Sequence, residues 1–381
     1  MSRRENFLKT LRHETPDSLI LDLGGNPLSS MDGRSMFKLL DFLGFPYDKG
    51  SMAKLDFGAV RRLDDRLLTY LDIDTRSVGT ILKPRKSQFR KISDTEYVDE
   101  WGITRKYTGM YWEICHPPLA GAELEDLEKY PWPDPESLDR EELEACRDRA
   151  KQLFEQTDSV ICGEHPVYGV FELGCWMCGF EDFLVRIMLD QAFVHRFFEI
   201  VLSYQKKVIE AYYGMIGPYL HYTTSGDDFA TQANAFLSPQ QFRDLVKPYL
   251  AERIRHTKKY TTAAFLHHSC GNVLPLIPDL IDAGVEILNP IQPVGVDMAP
   301  ANLKTRFGGQ ICFHGGLDTQ AVLPFGNHEH IQQEVEALIR AMALDGGYIF
   351  ATAHNIQEDV PPESVVWAFQ AARNCKLNPQ K

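Results

Sequence analysis

From about residue 155 to residue 375 the chain repeats one rhythm, a short apolar strand-like run followed by a helix-like run. SVICG (159–163) leads through a 165–174 loop into CGFEDFLVRIML, and a long helical run covers about 191–215. PYLHYTT (218–224) precedes a helix over 236–260, where Pro239 after Ser238 is a first-turn proline. TTAAFLHH, EILNP, QICFHGG and GYIFAT then alternate with helices near 273–284, 299–305, 328–344 and 361–374. Strands separated by helices at this spacing imply parallel βα units. About six units here, with one or two earlier, point to a (β/α)8 TIM barrel. A doubly wound sheet is second, because no GxGxxG follows an early strand.

The first 130 residues are less regular. ENFLKTLRH reads as a helix, SLILDLGG as a strand and the stretch near RSMFKLLDFLG as a helix. Residues 87–107, SQFRKISDTEYVDEWGITRKY, alternate polar with aromatic or β-branched residues around DEWG, an N-terminal β-hairpin excursion. LEKYPWPDPES (127–137) is a proline-punctuated loop and the best candidate for a seam. The expected organisation is one domain over 1–381, irregular to 130 and built of regular βα units over 155–375.

Composition narrows the function. A net charge of −13 with no long basic run argues against nucleic acid or an anionic membrane surface as partner. No secretory h-region follows Arg3 and Arg4, and no apolar run reaches membrane-spanning length, so a cytoplasmic location is expected. Eight cysteines are too dilute for a disulfide scaffold. Cys175 and Cys178 form a lone CxxC, which reads as small residues in helix packing more readily than as half of a zinc site.

In a barrel, chemistry sits at the C-terminal ends of the strands. Polar residues at those ends are Asp22, Glu164, His165, Asp227, Asp228, His268, Cys270, Asn289, Gln292, His314, Asp318 and His354. His268 and Cys270, two apart in HHSCGNV, leave one face of an extended backbone, and a thiolate beside an imidazole suits zinc. His354, ending the last strand, is the expected third ligand; read alone, it is a hydrogen-bonded structural or substrate-contact residue. His267 points the other way, toward packing. Asp227 and Asp228 in GDDFATQ are candidate general acids or bases, or helix caps. Asp22, Glu164, Asn289, Gln292, His314 and Asp318 are candidate substrate contacts, with capping as the plainer reading of Asp318. Tyr111, Trp112, Phe171 and Trp176 are pocket candidates whose commoner role is core packing.

HHSCGNVLPLIPDLIDAGVEILNPIQP, FHGGLDTQAVLPFG, ATAHNIQEDVPPESVVWAFQAAR and SGDDFATQANAFLSPQQFRDLVKPYL resemble segments of the uroporphyrinogen decarboxylase superfamily, over nearly the whole chain. The resemblance implies a (β/α)8 barrel of this length. The superfamily's haem-pathway decarboxylases carry an arginine motif, RQAGRY, which holds substrate carboxylates. Here that region reads LDLGGNPLSSMDGRS, with only Arg34 further on. Its corrinoid-linked methyltransferases hold zinc through His-x-Cys and a distant cysteine. His268-Ser269-Cys270 matches the first part, and His354 stands in place of the distant cysteine. The resemblance implies a zinc-dependent methyltransferase moving a methyl group between a small O-methyl compound and a separate corrinoid protein. Transfer to a thiol or folate is the close variant. The ether expectation rests on neutral His354 replacing a thiolate, which leaves the zinc more electrophilic. The alternatives are a carbon–carbon lyase of the decarboxylase type and a non-catalytic barrel that binds a ligand or a corrinoid protein. No DxHxxG corrinoid motif is present, and the oligomeric state, a homodimer included, is not legible.

Overall fold

The computed structural model describes residues 1–48, 60, 62–79, 82–109, 112–164, 167–293, 295 and 297–377. His165 and Tyr111 lie outside them. Strands β1 (Ile20–Leu21) and β2 (Thr75–Ser77) open the barrel. A separate antiparallel sheet follows, of β3 (Arg90–Ser93), β4 (Glu96–Val98), β5 (Thr104–Tyr107) and β6 (Trp112–His116). The barrel then resumes with β7 (Val160–Glu164), β8 (Tyr222–Gly226), β9 (Ala264–His268), β10 (Ile287–Asn289), β11 (Cys312–His314) and β12 (Tyr348–Phe350). Its eight parallel strands run in the order β1-β12-β11-β10-β9-β8-β7-β2. The seam between β2 and β1 is bridged by the Asp74 N–H, which donates to the Leu21 carbonyl at 3.0 Å. The Thr75 hydroxyl also reaches Asp22 across it, at 2.5 Å. The fold is a (β/α)8 TIM barrel with helices between the strands.

Period-two alternation explains what fills the barrel. Ile20, Cys162, Tyr222, Leu266, Ile287, Cys312 and Ile349 form one buried apolar layer inside it, joined by Phe7. Phe7 comes from helix Arg3–Leu11, which begins at Ser2 with a capping box to Glu5. An apolar residue from this N-terminal helix therefore closes one end, opposite the strand ends that carry the polar residues. Burying such a ring is worth about 2–3 kcal/mol relative to leaving it in water. Outside the strands, the largest buried cluster runs from Leu19 to Leu377.

Three expectations change. The hairpin over 87–107 is part of a four-stranded sheet that also includes β6. Residues 170–174, expected in a loop, already belong to helix Val170–Cys178. Its first turn is capped from elsewhere in the chain: the Phe171 and Glu172 N–H groups donate to the Asp227 carboxylate at 3.2 and 2.7 Å. The expected seam at 127–137 is packed structure. Trp132 stacks edge-on with Tyr130 and Phe197, and its Nε1 donates to the Leu127 carbonyl at 2.8 Å. Among the described residues no helix is long and apolar enough to cross a membrane.

Candidate metal centre and the cavities beside it

Two residues beyond the apolar layer, the same strand faces carry Asp22, Glu164, Thr224, His268, Asn289 and His314. Four of them form one hydrogen-bonded chain across the barrel. His314 Nε2 lies 2.7 Å from Asp22, Asn289 Nδ2 lies 2.7 Å from His314 Nδ1, and His268 Nδ1 lies 2.5 Å from Asn289 Oδ1. Asp22 is fully buried and also accepts from Gly25 N–H and the Thr75 and Ser29 hydroxyls. Burial opposes its charge, yet the His314 contact and the two hydroxyls together hold its carboxyl below the ordinary value. An ionised Asp22 requires a proton on His314 Nε2, which leaves Nδ1 to accept from the Asn289 amide. The Asn289 oxygen then accepts from His268 Nδ1–H, and His268 Nε2 keeps its lone pair.

That lone pair faces a ligand group. Asp228, His268 and Cys270 each offer one ligand atom, all within 4.8 Å of one another. Cys270 Sγ is 3.3 Å and Asp228 Oδ1 is 3.6 Å from His268 Nε2. Asp228 Oδ1 also accepts the Cys270 N–H at 2.8 Å, so it fixes the turn that presents the thiol. Gly271 permits that turn: its φ is +86°, and a Cβ there would lie 2.4 Å from the Thr231 carbonyl oxygen. Burial, with Asp228 and Glu172 nearby, pushes the Cys270 thiol well above its usual pKa, a cost that a bound cation reverses. One thiolate, one imidazole and one carboxylate fit zinc.

His354 is exposed at the mouth, its ring centroid 6.4 Å from that of His268, and it stands outside this group of three. Asp228, expected as an acid or base, is the third member of this group of potential ligands. The ether expectation belongs to a site with His354 as third ligand, and a site with Asp228 in that role does not carry it. A carboxylate carries the same charge as the thiolate it replaces, so the site is no more electrophilic than one of His, Cys and Cys.

The other candidates divide. Asp227 spends both oxygens on the helix cap described above, and burial raises its pKa to about 7. Gln292 accepts the Gly271 N–H at 2.7 Å. Asp318 accepts the Gln320 and Ala321 N–H groups at 2.5 and 2.8 Å, a turn cap. His267 is fully buried, stacked on Phe229 at 5.4 Å, with burial and Arg253 lowering its pKa to about 3. Cys175 and Cys178 are buried, with thiol pKa values raised by burial. Phe171 is core, and Trp112 packs on Tyr97 and Tyr107 of the hairpin sheet.

Two cavities meet at this group. One, of 450 Å³, is lined by Cys270, Gln292, Asp318, His354 and Arg34, the last ion-paired with Glu358 at 2.9 Å. The other, of 310 Å³, is lined by Asp228, His268, His354, Glu164, Glu100, Glu172, Tyr168 and Trp176. Glu100, Tyr168 and Glu172 were not expected at the site. Glu100 sits in the DEWG turn, and only the folding of the hairpin sheet over the mouth reveals its position. Glu172 and Trp176 are one helical turn apart, a signal visible only once a helix is placed there.

Residues 115–375, more than half of the chain, match the family described as Uroporphyrinogen decarboxylase (URO-D). A uroporphyrinogen decarboxylase of Legionella pneumophila (strain Corby) is 27% identical over 146 residues, which cover 38% of this chain and 39% of that protein. Its counterpart in strain Paris is 26% identical over 153 residues, with 38% and 39% covered. The chain thus matches well under half the length of these relatives. Among solved structures, a methyltransferase from Methanosarcina mazei superposes with a TM-score of 0.63 at 17% identity, covering 98% of both chains. The likeness to that structure is one of fold. With the matched family segment containing the strands that carry His268, Asn289 and His314, the chain belongs to the uroporphyrinogen decarboxylase family.

Proposed function

We propose that this protein is a zinc-dependent methyltransferase, moving a methyl group between a small methylated compound and a corrinoid carried by a separate protein. The observation that supports this most is the position of Asp228, His268 and Cys270 in the wall between two cavities, where two reactants can approach one point. A zinc ion held by these three supplies Lewis acidity to the heteroatom that releases or accepts the methyl group. Asn289, oriented by His314 and Asp22, keeps the His268 Nε2 lone pair directed at the site. Asp228 holds the Cys270 backbone, and His354, which lines both cavities, contacts the substrate rather than the metal. The corrinoid protein docks over the wider cavity, and the reaction takes place in the cytoplasm.

The test is direct. Zinc-loaded enzyme, a carrier with reduced cob(I)alamin and a panel of methylated amines, ethers and thiols should give methylcobalamin with at least one donor, and Cys270→Ala should abolish it. No donor giving methylcobalamin would remove the proposal. The decarboxylase reading is favoured by the names of the curated relatives. Against it stand the lining residues: Arg34 is the one arginine among those described around either cavity, and Glu358 neutralises it. A polycarboxylate substrate needs the opposite balance.

A further inference from the structure

Strands β8 and β9 pair as far as Gly226 and His268. Beyond that pair, four hydrogen bonds go on joining the two segments. Asp227 N–H donates to the His268 carbonyl at 3.0 Å, and Asn272 N–H donates to the Thr231 carbonyl at 2.8 Å. Between them, Phe229 N–H donates to the Ser269 hydroxyl at 2.9 Å and Cys270 N–H to Asp228 Oδ1 at 2.8 Å. The metal-ligand group is built across this join, with Asp228 on one segment and His268 and Cys270 on the other. Whether the carboxylate stays in range therefore depends on how firmly the first segment is tied to the second.

Ser269 stands between the two ligands of its own segment, and on an extended backbone its side chain leaves the opposite face. It is fully buried, and its N–H donates to the Asn289 carbonyl at 2.8 Å, so its backbone is fixed from β10. His267 leaves by the same face. Both reach Phe229, the residue after Asp228: His267 stacks on its ring with planes at 19°, and the Ser269 hydroxyl holds its N–H. Phe229 is fully buried, packed further against Phe242 at 4.9 Å and Phe171 at 5.9 Å. Asp227, on the other side of Asp228, is held by its N–H to His268 and by the cap of helix Val170–Cys178. Asp228 thus sits between two anchored neighbours, and the anchor at Phe229 depends on the side chain between the two other ligands. An alanine at 269 leaves the buried Phe229 N–H without its acceptor.

We propose that Ser269 is a positioning residue for the metal centre: its hydroxyl, through Phe229, holds Asp228 at ligand distance from His268 and Cys270. This rests on the reading of Asp228 as a metal ligand. Ser269 lines neither cavity and offers no ligand atom of its own, so its effect on a bound metal runs through Asp228.

Cobalt(II) titrated into metal-free protein separates this role from a merely structural one. Its thiolate charge-transfer band reports Cys270, and its d–d bands report the geometry of the whole ligand set. Ser269→Ala loses one hydrogen bond, a fraction of a domain's stability, and should stay folded. It should bind cobalt about tenfold more weakly, the scale of losing an outer partner, with the thiolate band kept at saturation and the d–d bands altered. In an Asp228→Ala background the same substitution should change cobalt affinity by less than about twofold, because the group it positions is gone. Ser269→Thr keeps the hydroxyl and should bind cobalt as the wild type does. Equal losses in both backgrounds, no loss beside native Asp228, or a threonine variant as weak as the alanine one overturns the proposal. If Asp228→Ala alone leaves cobalt affinity unchanged, the carboxylate is no ligand, and the reading beneath the proposal falls with it.

Discussion

At the scale of single residues, the site depends on which atom of His268 carries a proton. The chain from Asp22 through His314 and Asn289 sets this from more than one strand away. Asn289→Leu keeps the volume and removes both hydrogen bonds, so zinc affinity should fall about 10–100-fold, the usual effect of losing such an outer partner. Equilibrium dialysis against a competing chelator measures it, and an unchanged affinity would show that the chain does not act on the ligand. His354→Ala should retain stoichiometric zinc while Asp228→Ala loses it; the reverse pattern would restore the histidine as third ligand. His268 and Cys270 were legible in the sequence because spacing of two on a strand end fixes a common face. Asp228 was legible only as a carboxylate at a strand end. Asp227 beside it turns the opposite way to cap a helix, and no local pattern distinguishes the two.

At the scale of elements, the strand–helix alternation was readable from 155 onward because each strand is a compact apolar run. β2 was not, since Thr75, Arg76 and Ser77 are polar and their burial comes from the barrel around them. The start of helix Val170–Cys178 was missed for the same reason: its cap, Asp227, lies far along the sequence. Asp227→Ala should destabilise the protein by about 2 kcal/mol, the upper range for a lost cap, because the freed N–H groups are enclosed. Urea unfolding reads this as a lowered midpoint. Beneath the site, His221 Nδ1 accepts the Ile161 N–H at 3.0 Å. Burial, aided by Arg4, lowers its pKa from 6.5 to about 4. In the unfolded chain this histidine takes up its proton near 6.5, so its contribution to stability is lost as pH falls from about 6.5 through 4. His221→Asn keeps an acceptor without the titration, and its thermal midpoint should decline less steeply over that window than the wild type's. Parallel curves would exclude the residue from the acid response.

At the scale of the whole molecule, charge and architecture agree. A chain of net charge −13 places carboxylates around both cavities and pairs the arginine at the mouth with Glu358. Uroporphyrinogen should therefore be left unconverted by purified enzyme, and coproporphyrinogen formation above background would return the chain to the lyase reading. The barrel itself was legible in the sequence; the convergence of its mouth on one ligand group with two cavities was not, because it depends on how loops and the hairpin sheet close over the strands. That convergence is the central claim, and zinc X-ray absorption tests it most directly. The zinc-loaded protein should show one sulfur at about 2.3 Å with the remaining ligands nitrogen or oxygen near about 2.0–2.1 Å, and Cys270→Ala should lose the sulfur shell. A spectrum without sulfur in the wild type, or a sulfur shell that survives Cys270→Ala, would contradict the account.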